Sequence, residues 1–193
     1  MCHEMLSDSR LWTFLLEIDR DLLRVTHEGG CVFCGSPLHR ADYPRKPRGG
    51  PDNLPPEYSS RFSLCCSADQ CRRRSTPPSI RYLSSKIYLK VVVILLTTMR
   101  QGPTPYGFRE LQHLFNIGRR TLGRWQKWWQ EIFPRTLFWK EARARFMPPL
   151  RQDAILAELA RSFDITSSLE KLLGLLRFLS PITTRSGLAL HPC

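Results

Sequence analysis

Five of the seven cysteines fall in two groups. Cys31 and Cys34 form a CxxC followed by Gly35, and Cys65, Cys66 and Cys71 come about thirty residues later. Two thiolates across a CxxC sit on one tight turn, and the glycine after the second permits backbone conformations that a bulkier residue resists. Cys66 and Cys71 have four residues between them, Cys65 and Cys71 five, and structural zinc sites use both gaps. Zinc takes four ligands in a tetrahedron, so Cys31, Cys34, Cys71 and one of the vicinal pair suffice. Cys66 is favoured because Phe62, Leu64 and Cys66 share one strand face, with Cys65 as the alternative. Four thiolates leave no open position for a substrate, so the expected ion is structural Zn2+. Cys2 and Cys193 are terminal and stand apart, and His39 reads as an ordinary polar residue.

A second constellation is cationic. The net charge of +12 is unevenly placed. Residues 31–151 hold 22 Lys and Arg against seven acids, whereas residues 1–30 are net acidic and residues 152–193 are balanced. A basic middle between near-neutral ends suits a polyanion, most simply nucleic acid. Because the cations lie on several elements, not one amphipathic helix, a membrane surface fits less well. His3, Glu4 and Asp8 stand where a secretory leader would be basic, and the longest apolar run, Val91–Leu96, is too short to span a bilayer. The expected location is cytoplasmic, where clustered cysteines signal metal more often than disulfides.

The elements that would position these groups follow from periodicity. Asp8–Val25 reads as an amphipathic helix with Leu11, Phe14, Leu15, Ile18, Leu22 and Leu23 on one stripe, capped by Asp8 or Ser9. Leu38–Tyr43 and Tyr58–Leu64 can form hairpin arms joined by a Pro- and Gly-rich loop. Arg40, Arg45, Lys46, Arg48, Arg61, Arg72, Arg73 and Arg74 surround this module and suit phosphate contact, with Tyr43 and Tyr58 available for stacking. Ser75–Pro78 reads as a linker. Lys86–Arg100 follows as a helix, although its β-branched centre also suits a strand. Leu111, Leu114 and Phe115 make one face of a short helix. Asn116 tolerates a left-handed turn, Ile117 plugs it, and Leu122 and Trp125 give the next helix its buried stripe. Arg119, Arg120, Thr121, Arg124 and Lys127 then point the other way. Phe138, Trp139 and Phe146 are interleaved with cations and suit either nucleic-acid contact or a core. Two leucine-rich helical patterns follow, Ile155–Phe163 and Leu169–Leu179, suited to core packing or a dimer interface.

Leu111, Phe115, Ile117, Leu122 and Trp125 resemble, in order and spacing, the helix-turn-helix of many bacterial DNA-binding proteins. Gln112 stands where such proteins usually have alanine, and Gly118 where they have a serine cap. The cysteine module resembles a zinc ribbon. Together, CVFCG, RFSLCC…CRRR and FRELQHLFNIGRRTLGRW resemble the N-terminal DNA-binding part of bacterial insertion-sequence transposases and their accessory proteins. The resemblance implies duplex DNA recognition for a mobile element. Arg119, Arg120, Thr121 and Arg124 would read base edges, supported by Lys127, while Arg45, Lys46, Arg48, Arg72, Arg73 and Arg74 hold phosphates. Such transposases continue into a catalytic domain with three carboxylates. Beyond residue 151 only Asp153, Glu158, Asp164 and Glu170 remain, all within helical leucine patterns, so strand-cutting chemistry is not expected. Glu110 and His113 read as surface residues of the first helix.

The expected fold is α+β and mostly α. An N-terminal helix (1–30) precedes a zinc-ribbon module (31–78), a helix-turn-helix domain (79–134), a C-terminal helical region (135–182) and a disordered tail (183–193). Partners would be double-stranded DNA, a recombinase or transposase subunit, and a second copy in a homodimer. The alternatives are a protein-interaction adaptor that docks a recombinase through its leucine-rich half, or an RNA-binding zinc ribbon.

Overall fold

In the computed structural model, residues 8–48, 50, 54–82, 89, 93–94, 117–162 and 168–184 are described. The fold is α+β and mostly helical. Helix α1 (Ser9–Glu28) leads into short strands β1 (Leu38–Arg40), β2 (Tyr43–Pro44), β3 (Ser60–Arg61), β4 (Leu64–Cys66) and β5 (Arg74–Ser75). Helices α2 (Arg119–Lys127), α3 (Leu137–Ala142), α4 (Ile155–Ser162) and α5 (Ser168–Phe178) follow. The predicted helix Lys86–Arg100, the first helix of the expected helix-turn-helix with its Asn116 turn, and residues 185–193 fall wholly or mostly outside the described residues.

Asp8 caps α1, its carboxylate accepting the Arg10 amide at 2.9 Å. Gly29 and Gly30 close the helix, and Gly30 takes a left-handed φ of 67°. The buried face is Leu11, Trp12, Leu15, Leu16 and Asp19, rotated from the expected stripe, so that Phe14 stays 44% exposed. Trp12 draws the face toward itself because its large apolar area gains most from leaving water. A carboxylate can share that face because it is fully partnered there. Asp19 accepts from Ser79 Oγ at 2.5 Å, Ile80 N at 2.7 Å and Arg81 Nε at 2.7 Å.

Two small antiparallel sheets make the ribbon. β4 is central to one, pairing with β1 (Leu38 opposite Cys66) and with β5 (Leu64 opposite Ser75), while β2 pairs with β3. Each predicted hairpin arm is interrupted where Asp42 and Ser63 face each other. Asp42 Oδ1 accepts the Ser63 amide at 3.0 Å, and the Ser63 carbonyl accepts from Ala41 N at 2.8 Å. Tyr58 is not in a strand. It lies in a 3-10 turn, Pro56–Ser59, which drives its ring into the core edge-on to Trp12, and its hydroxyl donates to the Trp12 carbonyl at 2.9 Å. Burial raises its pKa, and the ring is not free to stack on a ligand.

The predicted linker, Ser75–Pro78, and the residues on either side of it form a packed seam. Arg74 and Ser75 form β5, and Pro77 and Ser79–Tyr82 are buried. The Arg81 guanidinium lies over the rings of Phe62, Tyr58 and Tyr82, at 4.4, 5.0 and 5.2 Å from their centroids. One apolar cluster runs from α1 through Tyr58, Phe62, Ile80 and Tyr82 to α2, α4 and α5.

Pro134 ends the α2 segment as expected, but the helix first widens into one π turn, Trp128–Ile132. Trp129 and Phe133, four residues apart across this turn, are both fully buried. Trp139 is buried in the core and Phe138 and Phe146 are partly buried against it, with Trp139 stacked on Phe146 at 5.8 Å and Phe138 edge-on to Phe178 at 5.2 Å. Core packing also uses Ile155, Leu156 and Leu159 of α4 and Leu172, Leu175, Leu176 and Leu179 from α5 onward. Thr183, expected to begin a disordered tail, is buried, and its hydroxyl accepts the Ser79 amide at 2.8 Å.

Candidate metal centre

The Sγ atoms of Cys31, Cys34, Cys66 and Cys71 all lie within 4.8 Å of one another. Cys31 and Cys71 are 3.8 Å apart and Cys34 and Cys66 3.4 Å, far longer than the roughly 2.05 Å of a disulfide. Thiolates about 2.3 Å from a shared tetrahedral ion stand about 3.8 Å from each other. The spacing therefore fits one metal ion between them, and these four cysteines can hold it.

The local fold explains why these four meet. In the first knuckle the Cys31 carbonyl accepts the Gly35 amide at 2.7 Å, and Cys31 N donates to Ser36 O at 2.9 Å. The turn needs Gly35 at φ 71°, a conformation costly for a residue with a Cβ. In the second, the Ala68 carbonyl accepts both the Cys71 and Arg72 amides at 3.0 Å, and Arg72 occupies the left-handed region at φ 45°. Pairing of Leu38 with Cys66 sets one knuckle against the other. Leu38 and Leu64 are buried beside Cys31 and Cys66, with Leu23 of α1 packed against them. Cys65, one residue along β4, faces the other way, and its thiol donates to the Arg72 carbonyl at 3.5 Å. It stands outside the group.

Backbone amides two residues ahead hydrogen-bond three of the thiols: Ser36 to Cys34, Ala68 to Cys66 and Arg73 to Cys71. Amides aimed at sulfur hold it in place and favour its ionised form. At the exposed Cys34, the Ser36 hydroxyl and amide lower the thiol to about 6, while burial pushes Cys66 up to about 12. A metal held here would take each thiol in its ionised form, so Cys66 would have to release its proton on binding. Metal affinity is expected to fall at least about tenfold per pH unit on acidification below neutrality, because a proton competes for each released ligand site. Titration against a chromophoric chelator at several pH values measures this. An affinity flat with pH would rule out thiolate ligation.

The expected nucleic-acid ligands fall into three sets. Arg119, Arg120, Arg124 and Lys127 are exposed along α2, with Thr121 partly so, opposite buried Leu122 and Trp125. Lys46, Arg48, Arg72, Arg73 and Arg74 are exposed on the ribbon, and Arg45 is half-buried beside Tyr43. Arg72 pairs with Asp69, and Arg74 also ties the ribbon together through Ala41 O at 2.7 Å and Ser63 Oγ at 3.0 Å. Arg61 does not belong with the ribbon's outer cations: it is 2% exposed and donates to Pro77 O at 2.6 Å. A strand residue facing inward has no route to a phosphate, and desolvation lowers its pKa.

Asp19, Arg61 and Arg81 are the buried charges that sequence reasoning missed or misplaced. The signal for Asp19 was present, since it follows Leu15 by four residues and precedes Leu22 by three, which puts it on the apolar face. No family model, curated protein or solved structure matches the chain. No helix among the described residues is long and apolar enough to cross a membrane.

Proposed function

We propose that this is a duplex-DNA-binding protein of a mobile element, reading sequence with α2 and held in shape by a structural zinc ribbon. The carrying observation is α2. Four exposed cations line one side, the other side is buried, and its first turn contains no acid. Arg119 and Arg120 sit at the helix N-terminus, where the macrodipole disfavours positive charge by a few tenths of a kcal/mol or more. Helix stability does not explain cations there, whereas a phosphate or base-edge ligand does. Four thiolates favour zinc among the metals of a reducing cytoplasm, and a closed tetrahedral site performs no chemistry. The role is therefore recognition, with any strand cutting left to a recombinase partner.

The test is selection of bound duplexes from a random pool at about 150 mM salt with zinc-loaded protein. A defined motif is expected, and Arg120→Ala should weaken binding to it by about 1–3 kcal/mol while relaxing preference at that position. Equal loss on every sequence would reduce Arg120 to a phosphate contact. Binding with no motif that fades steeply with salt would overturn sequence reading altogether.

A further inference from the structure

The CxxC turn carries two apolar side chains that the fold does not bury. Val32 is 82% and Phe33 59% exposed, at the tip of a turn pinned by Cys31 and Cys34. The metal-ligand pattern does not demand apolar residues at these two positions, and an exposed phenyl ring gains nothing from water. Phe33 is nevertheless not loose, because the Arg73 guanidinium lies over its ring at 4.2 Å from the centroid. With that cation in place Phe33 is still 59% exposed. Arg73 stands in a run of three exposed cations, Arg72, Arg73 and Arg74, on the strand side of the second knuckle.

An open aromatic ring, a guanidinium on it and further cations beside it match one ligand chemistry: a planar base joined to an anionic backbone. Bases inside a duplex present no free face, so the base must be unpaired. We propose that the ribbon tip binds single-stranded nucleic acid, stacking one unpaired base on Phe33 while Arg73 neutralises the adjoining phosphate and Arg72 and Arg74, held by Asp69 and by Ala41 and Ser63, add to the positive field around it. For a protein whose α2 holds duplex, the tip is then a reader of duplex ends or junctions. That last step rests on the function proposed above, and the stacking site itself does not.

The experiment uses the zinc-loaded full chain and a mixed-sequence duplex of about 20 base pairs, blunt or carrying a thymidine extension of about six nucleotides. Binding is read by fluorescence anisotropy. The extension should tighten binding roughly five- to 150-fold, the range for one stacked base. Phe33→Ala should abolish that gain and leave blunt-duplex affinity unchanged, while Phe33→Tyr keeps it. Because Phe33 is exposed, Phe33→Ala should still bind one metal per chain, and a measured metal content confirms that the ribbon has formed. An extension without effect, or a gain that survives in Phe33→Ala, overturns the inference, and the tip is then better read as a protein contact. A gain that depends on Phe33, with no motif recovered from the random duplex pool, would leave the stacking site standing and remove the sequence-reading role of α2.

Discussion

Stripping the metal is expected to melt the knuckle end of the ribbon, and this is the largest single effect open to experiment. Its strands are two or three residues long, and its own apolar cluster is little more than Cys31, Leu38, Leu64 and Cys66 under Leu23. So small a cluster cannot offset the conformational entropy of ordering some thirty residues. A structural zinc ion contributes about 10–16 kcal/mol of apparent binding free energy, and where no site exists in the unfolded chain that is folding free energy. The neighbouring half should persist, because Tyr58 and Phe62 are anchored in the main core and not in the ribbon's own. Hydrogen exchange tests the division. With a chelator, the amide of Cys66, bonded to Arg73 O at 2.9 Å, should lose protection while the amides of α1 keep theirs. Cys66→Ser should reproduce the chelator, and Cys65→Ser should leave one metal bound per chain. A Cys65→Ser protein that loses its metal would show that the ligand set is wrong.

Asp19→Ala is expected to cost about 3–5 kcal/mol of stability, the second largest effect. Its carboxylate is 1% exposed and bonds Ser79, Ile80 and Arg81, so removing it orphans three donors together. Arg81 would then be a buried cation whose remaining protein contacts are the Glu57 carbonyl, at 3.0 Å, and three aromatic faces. Arg61 is buried nearby, so Asp19 is what balances positive charge in the seam between α1, the ribbon and residues 79–82. The aromatic rings offset part of that charge but not all of it. Removing both charges should be gentler: Asp19→Leu with Arg81→Met is expected to recover most of the loss, since a well-packed apolar pair avoids desolvating either ion. Urea unfolding of the zinc-loaded protein measures both variants. A single-variant loss under about 1 kcal/mol would mean that water reaches the pair and the seam is not dry.

What the sequence by itself determined was local. A CxxC and a glycine dictate a turn, a β-strand places alternate residues on opposite faces, and helical spacing separates Leu122 and Trp125 from the cations between them. Such rules act over a few residues, which is why Cys66 could be preferred to Cys65 and why α2 could be divided into an inner and an outer side. The same rules could not decide how far an element is buried. Trp12 and Leu16 replaced Phe14 on the inner face of α1, and Tyr58 left its strand, because the partner surfaces come from residues 46 or more positions away.

Buried charge was legible in the sequence only at Asp19, by its place on the apolar face of α1; its partners and the fate of the arginines were not. Arg61, Arg72 and Arg74 are one residue type in one basic region, yet one faces the core, one pairs with Asp69 and one laces the ribbon. Residue type sets the charge of a side chain. Only the tertiary structure decides whether water, an acid or an aromatic ring surrounds it, and that environment separates a phosphate ligand from a structural ion. Asp19 and Arg81 are 62 positions apart, and either charge without the other would be left unpaired in the core.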